Sequence, residues 1–302
     1  MNDFAWPAPA AAAATAAAPR FDVQAARLAV GCLHAELLLY PKPGLVSLVD
    51  NGSHLDMNAA TFMRSLFALR HYFAAICRAG ADHAPFAVLR HLGQQAEVRM
   101  LAATGGINTH RGAIFSMGLL CAAYGRLRHS DADGRIDAAA LRAALGSWRA
   151  ELAVHMTAAP LDATSHGVLV ARRHQAGGAR EEGARGLPSV FEVGLPALRH
   201  TLAAGGSMQA ARIDALFALM ANLADTNVLH RGGADGAELV RRTARDFLEA
   251  GGTADALWRT RALAAHQLFV ARRLSPGGAA DLLAATCLVQ AMTSATPAGL
   301  AP

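Results

Sequence analysis

Two short polar segments of similar composition interrupt the apolar sequence, at Asn108–Gly112 and at Asp225–Gly233. Each segment contains side-chain oxygen ligands, an imidazole and a guanidinium next to glycine. Burying a polar group without a partner costs about 1–3 kcal/mol, and burying a charge costs more. Because a packed core does not need this mixture, we expect both segments to lie in a binding site.

The first segment follows Thr104-Gly105-Gly106 and leads directly into an apolar, helix-like stretch. Glycines before a helix present free backbone N–H groups, which favour an anion such as phosphate. The segment lacks the Gly-Lys-Ser/Thr ending of a P-loop. A simpler interpretation is that Asn108 or Thr109 only caps the helix, but this does not account for His110 and Arg111.

The second segment begins with Asp225, Thr226 and Asn227, whose hard oxygens suit Mg²⁺ when nucleotide phosphates complete its coordination. His230 and Arg231 follow about one helical turn later. Near the carboxyl end, Ser275 to Gly278 opens the last helical stretch, with Asp281 in its first turn. This last pattern is also ordinary helix-start chemistry.

Prolines flank Lys42 in the sequence Pro41-Lys42-Pro43-Gly44. Two prolines and a glycine predict a stiff, exposed connection in which Lys42 contacts phosphate. Asp56 in the same connection is an alternative cap for the next helix. Two further loops are ambiguous, because the Ser165-His166 pair rarely gives nucleophile geometry and the glycine-rich run around Arg180 and Glu182 also fits a surface loop.

Apolar residues recur at a spacing of three to four along the chain, which predicts an all-α fold of about ten helices. The expected helices are Phe21–Leu39, Asn58–Arg78, Pro85–Ala103, Gly112–Tyr124, Asp137–His155, Pro188–Ala204, Ser207–Ala224, Ala234–Glu249, Thr253–Arg272 and Gly278–Met292. Asn58 and Asp137 are expected N-caps, and the expected helix ends are at Gly80, Gly125, Gly205 and Gly251. Residues 1–20 read as a disordered Ala/Pro-rich arm, and residues 21–302 as a single helical catalytic domain whose site is built from the loops between helices.

The net charge of +5 and the pI near 9.5 favour anionic ligands, and the scattered arginines suit small phosphates better than nucleic acid. The longest apolar stretch, Gly112 to Tyr124, is too short to cross a membrane. The start of the chain does not resemble a secretory signal, so we expect a cytoplasmic protein. The cysteines are far apart in sequence, which predicts reduced core thiols.

Taken in order, the motifs PKPGLVS, DNGSHxDM, AExxM, TGGINTHRGAIFS, SHG, GAR, LPSV, DTNVLHRGG and SPGGxADLL resemble the triphosphoribosyl-dephospho-CoA synthase family. The resemblance covers nearly everything after residue 20. It implies an all-helical, magnesium-dependent transferase that moves the 5-triphosphoribosyl group of ATP to the 2′-hydroxyl of 3′-dephospho-CoA and releases adenine. The product would be the prosthetic-group precursor for the acyl carrier protein of malonate decarboxylase or citrate lyase, passed on by a phosphoribosyl-dephospho-CoA transferase.

Roles within the motifs are hypotheses from residue type and position. The catalytic candidates are Asp50, Asp56, Glu97, His110 and His230. The substrate-binding candidates are Lys42, Ser47, Asn51, His54, Thr104, Asn108, Thr109, Arg111, Ser165, His166, Arg180, Glu182, Thr226, Arg231, Gly232, Ser275 and Asp281. The metal candidates are Asp225 and Asn227.

Carboxylates in this set would stabilise the positive charge that develops at the anomeric carbon, and one would deprotonate the attacking hydroxyl. His110 or His230 would assist the departing adenine. Two alternatives fit the same inventory: a magnesium-dependent all-helical hydrolase of ribosyl bonds, and a non-enzymatic helical scaffold that uses its glycine-rich loops for partner contact.

Overall fold

The computed structural model describes residues 21–130, 135–157 and 178–294, and within these ranges the regular structure is entirely helical. The α-helices are α1 (Phe21–Leu38), α2 (Ala59–Ala81), α3 (Phe86–Thr104), α4 (Arg111–Ser130), α5 (Ala138–Leu145), α6 (Arg149–Thr157), α7 (Gly178–Ala184), α8 (Leu195–Ala203), α9 (Met208–Asn222), α10 (Thr226–Glu249), α11 (Trp258–Ala271) and α12 (Gly277–Thr293). Short 3-10 turns lie at Gly146–Trp148 and Gly252–Ala254, and a π-helical turn lies at Ser189–Gly194. The proposed arm at residues 1–20 and the Ser165-His166 pair lie outside the described residues.

The predicted all-α fold is confirmed, and so are the predicted N-caps Asn58 and Asp137. Asn58 caps α2 in a reciprocal capping box with Thr61, and Asp137 accepts the N–H of Ala140 at the start of α5. Gly205 and Gly251 come directly after the C-cap residues of α8 and α10, with φ angles of 83° and 105° that favour glycine. Both ends depend only on the positive φ that glycine adopts easily, so the position of the glycine was enough to predict them.

Gly80 and Gly125 do not end helices, and that prediction was wrong. Gly80 lies inside α2 and Gly125 inside α4. A Cβ on Gly80 would lie 2.0 Å from the carbonyl oxygen of Ala122, and a Cβ on Gly125 would lie 1.9 Å from that of Cys77. The two glycines therefore allow the backbones of α2 and α4 to approach each other closely.

Other helix boundaries also differ from the expectation, since α4 continues to Ser130 and the helix expected from Thr253 begins at Trp258. The stretch from Asp137 to His155 is divided into α5, a 3-10 turn and α6. The segment from Asp225 to Gly233, expected as a loop, forms the first turns of α10. Gly233 has non-helical angles (φ 61°, ψ −158°), so the helix is broken just before the start predicted at Ala234.

The core is centred on α2 and α4, which pack against each other, with α1 and α3 against α2 and α12 against α4. The helices α8, α9 and α10 complete the domain, α9 packing against α12. All four cysteines are free and buried, which agrees with the prediction of core thiols. Among the described residues, no helix has the length and hydropathy that a membrane span requires.

Candidate active site

Lys42 is buried, contrary to the prediction of an exposed phosphate contact. Its side chain is 1% exposed, and its ammonium donates to Glu36 Oε1 at 2.6 Å and to the Glu36 carbonyl oxygen at 2.7 Å. Glu36 lies in the last turn of α1, so the chain turns back at the prolines and brings the ammonium onto its own helix end. Burial lowers the pKa of Lys42, and the charge of Glu36 opposes this effect. The flanking prolines therefore direct Lys42 inward.

The loop between α1 and α2 is held by hydrogen bonds between side chains and backbone groups. Ser47 Oγ accepts the N–H groups of Val49 and Asp50 at 3.1 and 3.2 Å, and Asp50 Oδ1 accepts that of Gly52 at 2.8 Å. Ser53 Oγ donates to the carbonyl oxygen of Leu274 at 2.6 Å. The loop therefore has one defined shape, and Ser47 uses its oxygen to build it.

His266, which the sequence did not single out, lies against Asp50. Its Nδ1 is 3.0 Å from the Lys42 carbonyl oxygen, and its Nε2 is 3.3 Å from Asp50 Oδ1. A carbonyl oxygen only accepts, so Nδ1 carries a proton and Nε2 faces the carboxylate. Nothing in the sequence distinguishes His266 from other histidines on apolar helix patterns.

His54, Arg231 and Ser275 form a network that joins the α1–α2 loop to α10 and to the start of α12. The Arg231 guanidinium lies 3.0 Å from His54 Nδ1, and His54 Nε2 lies 2.8 Å from Ser275 Oγ. Because a guanidinium only donates, Nδ1 is the acceptor and Nε2–H donates to the serine. Burial and the charge of Arg231 lower the pKa of His54 to about 4. Three predicted substrate-binding residues are thus brought together.

Arg231 also donates to the carbonyl oxygens of Ser53 and Arg273, at 3.1 and 3.4 Å. It remains exposed, so its guanidinium can reach a ligand while it holds the loop. Asp56, 59% exposed, lies 3.7 Å from His54 Nδ1. Asn51 is exposed on the same loop.

Asp225 caps two helices with one carboxylate. Its Oδ1 accepts the N–H groups of Asn227 and Val228 at 2.8 and 3.4 Å, at the start of α10. Its Oδ2 accepts the N–H of Ala279 at 3.0 Å, at the start of α12. Burial raises its pKa, and these hydrogen bonds from backbone N–H groups oppose the increase. The carboxylate is 5% exposed and largely used by backbone donors.

These contacts fit poorly with Asp225 as a magnesium ligand, because its lone pairs already accept N–H groups. Asn227 is exposed beside Gly277, where a Cβ would lie 3.0 Å from Asn227 Nδ2. Among the residues that the structure describes, no three His, Cys, Asp or Glu side chains are placed to hold a metal ion. Metal binding at Asp225 and Asn227 stays a prediction.

Asp281 caps a third helix. Its half-buried carboxylate accepts the N–H groups of Gly112 and Ala113 in the first turn of α4. A Cβ on Gly112 would lie 2.3 Å from Asp281 Oδ2, so only glycine admits this contact. Burial raises the pKa of Asp281, and the charges of Glu36 and Asp225 raise it further.

The N-termini of α4, α10 and α12 are therefore linked through two carboxylates, Asp225 and Asp281. The link unites the two polar segments with the start of the last helix. Glu36, whose charge acts on Asp281, extends the cluster to Lys42. Glu36 was not among the candidates predicted from the sequence, because an acidic residue in a helical pattern is usually exposed to solvent.

His110 lies beneath the start of α4 and is 2% exposed. Its Nδ1 is 2.7 Å from Ser65 Oγ, and Thr109 Oγ1 donates to the same serine oxygen at 2.8 Å. Burial and the charge of Lys42 lower the pKa of His110 to about 3. The ring is therefore neutral near pH 7 and does not have the charge of an imidazolium acid.

Other candidates have structural partners. Asn108 Oδ1 accepts the N–H of Arg111 at 3.1 Å. This contact agrees with the simpler interpretation that Asn108 caps the helix. The Arg111 guanidinium forms an ion pair with Glu97 on α3. Buried Thr104 donates to the Ile107 carbonyl oxygen at 2.6 Å, and Glu182 Oε1 accepts the hydroxyl of Ser189 at 2.5 Å.

The remaining candidates lie on α7 and α10. A Cβ on Gly178 would lie 3.8 Å from Cγ2 of Thr226, so the start of α7 approaches the start of α10. Arg180 is exposed in the first turn of α7, and His230 is exposed on α10. Gly232 packs on Leu274, where a Cβ would lie 2.5 Å from the leucine side chain.

The sequence profile of the ATP:dephospho-CoA triphosphoribosyl transferase family matches residues 22–298 of the chain. A probable 2-(5″-triphosphoribosyl)-3′-dephosphocoenzyme-A synthase of Stutzerimonas stutzeri is 41% identical over 93% of this chain and 96% of its own length. The 2-(5″-triphosphoribosyl)-3′-dephosphocoenzyme-A synthase of Klebsiella pneumoniae is 41% identical over 86% of this chain and 91% of its own. No solved structure matches the chain significantly. The chain therefore belongs to the ATP:dephospho-CoA triphosphoribosyl transferase family.

Proposed function

We propose that this enzyme transfers the 5-triphosphoribosyl group of ATP to the 2′-hydroxyl of 3′-dephospho-CoA and releases adenine. The observation that carries the proposal is the linkage of the α4, α10 and α12 N-termini through Asp225 and Asp281. It brings the starts of three polar motifs together, which supports a single site built from them. The printed names of the relatives supply the reaction.

The reaction exchanges one bond at the anomeric carbon of ATP for another. The bond to adenine breaks and a bond to the acceptor oxygen forms, while the hydroxyl proton passes to a base and adenine leaves with its bonding electron pair and a proton. Positive charge develops on the ribosyl group, so nearby carboxylates lower the barrier. Asp50 and Asp56 on the loop after α1 are the more accessible candidates for the base.

Exposed cations are proposed to hold the triphosphate. Arg231 is exposed and fixed by the loop, and Arg111 is 40% exposed beside the start of α4. Guanidinium groups bind phosphate oxygens in a bidentate manner. Lys42 is buried against Glu36, so contact with phosphate requires that ion pair to open.

Magnesium is proposed to accompany ATP, where phosphate oxygens supply most of its ligands and offset the charge of the triphosphate. The product is proposed to be the prosthetic-group precursor for malonate decarboxylase or citrate lyase, handed to a phosphoribosyl-dephospho-CoA transferase in the cytoplasm. Incubation of the purified chain with ATP and 3′-dephospho-CoA, with and without MgCl₂, would measure the magnesium requirement as adenine release.

An assay of adenine release separates the proposal from hydrolysis. Release from ATP that requires 3′-dephospho-CoA supports transfer, whereas equal release in its absence supports a ribosyl hydrolase. If the chain were a non-enzymatic helical scaffold, neither reaction would occur, and ATP with magnesium would not raise the melting temperature.

A further inference from the structure

His110 carries a buried polar atom without a hydrogen-bond partner. The Nε2 atom is inaccessible to solvent and has no partner among the described residues. Leaving such a group unsatisfied costs about 1–3 kcal/mol. Such a group indicates a partner that the chain itself does not supply, which is a water, an ion or a ligand.

The hydrogen bonds on the other side of the ring determine what Nε2 offers. Thr109 Oγ1 donates to Ser65 Oγ at 2.8 Å, and we assign the Ser65 hydroxyl hydrogen to the 2.7 Å contact with His110 Nδ1. Nδ1 is then the acceptor of a neutral imidazole, and the ring proton resides on Nε2. His110 therefore presents an N–H donor that needs an acceptor.

The surroundings of His110 indicate which part of a nucleotide that acceptor belongs to. The positive charge of Lys42 lowers the pKa of His110, but Glu36 Oε1 lies 2.6 Å from the Lys42 ammonium and balances that charge. Glu36 and Asp225 also act on Asp281, so carboxylates outnumber cations in this cluster. A carboxylate-rich environment repels phosphate and favours a group on which positive charge develops.

We propose that His110, Lys42, Glu36 and Asp281 form the subsite for the transferred ribosyl group, with His110 Nε2–H donating to a ribose oxygen. Ser65 and Thr109 are positioning residues that fix the tautomer of the ring. The triphosphate then lies outward, towards Arg111 and Arg231. The inference rests on the proposed function, and because Nε2 is covered in the ligand-free chain, nucleotide binding must shift the side chains above it.

The first test compares His110→Gln, which keeps an N–H donor near the Nε2 position, with His110→Phe, which removes it. We expect His110→Phe to lower kcat for adenine release about 100-fold or more, as loss of one preorganised donor does, with KM for 3′-dephospho-CoA nearly unchanged. His110→Gln should retain about a tenth of wild-type kcat or more. Equal loss in both variants, or kcat within about threefold of wild type in His110→Phe, overturns the proposal.

The second test uses calorimetric binding of ATP and of inorganic tripolyphosphate, each with MgCl₂, and does not depend on turnover. His110→Phe should weaken ATP about tenfold and leave tripolyphosphate unchanged, because only ATP carries the ribosyl group. If both ligands weaken equally, the donor contacts phosphate and the subsite assignment is wrong.

A third variant keeps the proposal testable if His110→Phe does not fold. Ser65→Ala keeps the imidazole but removes the hydroxyl that fixes its tautomer, so kcat should fall about tenfold with KM for ATP unchanged. Wild-type kcat in Ser65→Ala overturns the positioning role. If the wild-type chain releases no adenine with 3′-dephospho-CoA, the proposed function fails, while the two binding measurements still decide the subsite.

Discussion

Asp225 Oδ2 accepts a hydrogen bond at 3.0 Å from the backbone N–H of Ala279, so one side chain joins the start of α10 to the start of α12. Its other oxygen caps α10 itself. Asp281, two residues after Ala279, then caps α4. The candidate site is thus assembled by backbone donors that converge on two carboxylates.

Replacement of Asp225 by alanine should remove both caps. Each cap contributes about 0.5–2 kcal/mol, so we expect the free energy of unfolding to fall by about 1–4 kcal/mol and adenine release to be lost. Urea denaturation and the adenine assay measure the two effects. Unchanged turnover in Asp225→Ala would remove this residue from the mechanism.

Asp225→Asn distinguishes capping from metal ligation. Asparagine keeps only one acceptor oxygen, so a capping role predicts the loss of one of the two caps, about 0.5–2 kcal/mol, and an MgCl₂ dependence that matches wild type. A metal-ligand role predicts instead that the magnesium concentration for half-maximal adenine release rises about tenfold or more. We expect the first result, because Asp225 already accepts backbone N–H groups on both oxygens.

Acid should destabilise the fold through His54. The pKa of His54 is lowered to about 4, from an ordinary value near 6.5, by burial and by Arg231. The unfolded chain therefore binds more protons between about pH 6.5 and 4, and stability contributed by neutral His54 is lost as the pH falls through this window.

The matched variant for this prediction is His54→Gln, which does not titrate. Asp225 and Asp281 have raised pKa values and change stability in the opposite direction, so the difference between wild type and His54→Gln isolates the histidine. Thermal melts at pH 7.5, 5.5 and 4.5 should show the wild type losing stability relative to the variant. A difference that does not vary with pH contradicts the network with Arg231.

The Glu36–Lys42 pair should behave as a buried ion pair. Lys42→Met leaves Glu36 charged without its partner, and breaking such a pair costs about 3–5 kcal/mol. The double variant Lys42→Met/Glu36→Leu should recover much of that stability, as a urea double-mutant cycle can measure. Additive losses in the double variant would mean that the two side chains do not pair in solution.

The glycines between α2 and α4 allow a packing test. Gly80→Ala places a methyl group 2.0 Å from the Ala122 carbonyl oxygen, and we expect a loss of about 1–3 kcal/mol. Gly146→Ala is the control, because no atom lies within 4 Å of a Cβ there and the backbone is helical. The control should be neutral or slightly stabilising in urea denaturation; equal losses in both variants would contradict the close approach of α2 and α4.

Local chemistry made much of the fold predictable. The three-to-four spacing located the helices, and Asn58, Asp137 and Gly205 mark boundaries because capping depends on neighbouring residues alone. Gly80 and Gly125 misled the assignment because their requirement comes from another helix.

The site was predictable in its segments and less so in its contacts. Motif residues such as His54, Arg231 and Ser275 do meet. Glu36, Ser65 and His266 were missed because each lies inside a regular helix, and only tertiary structure shows that they face Lys42, His110 and Asp50.

The most direct test of the transfer is the mass and amount of its product. The purified chain would be incubated with ATP, MgCl₂ and 3′-dephospho-CoA, and adenine and acceptor would be quantified by liquid chromatography with mass spectrometry. The account predicts one triphosphoribosyl-bearing dephospho-CoA for every adenine released. Adenine accompanied by free ribose triphosphate and unmodified acceptor would contradict it.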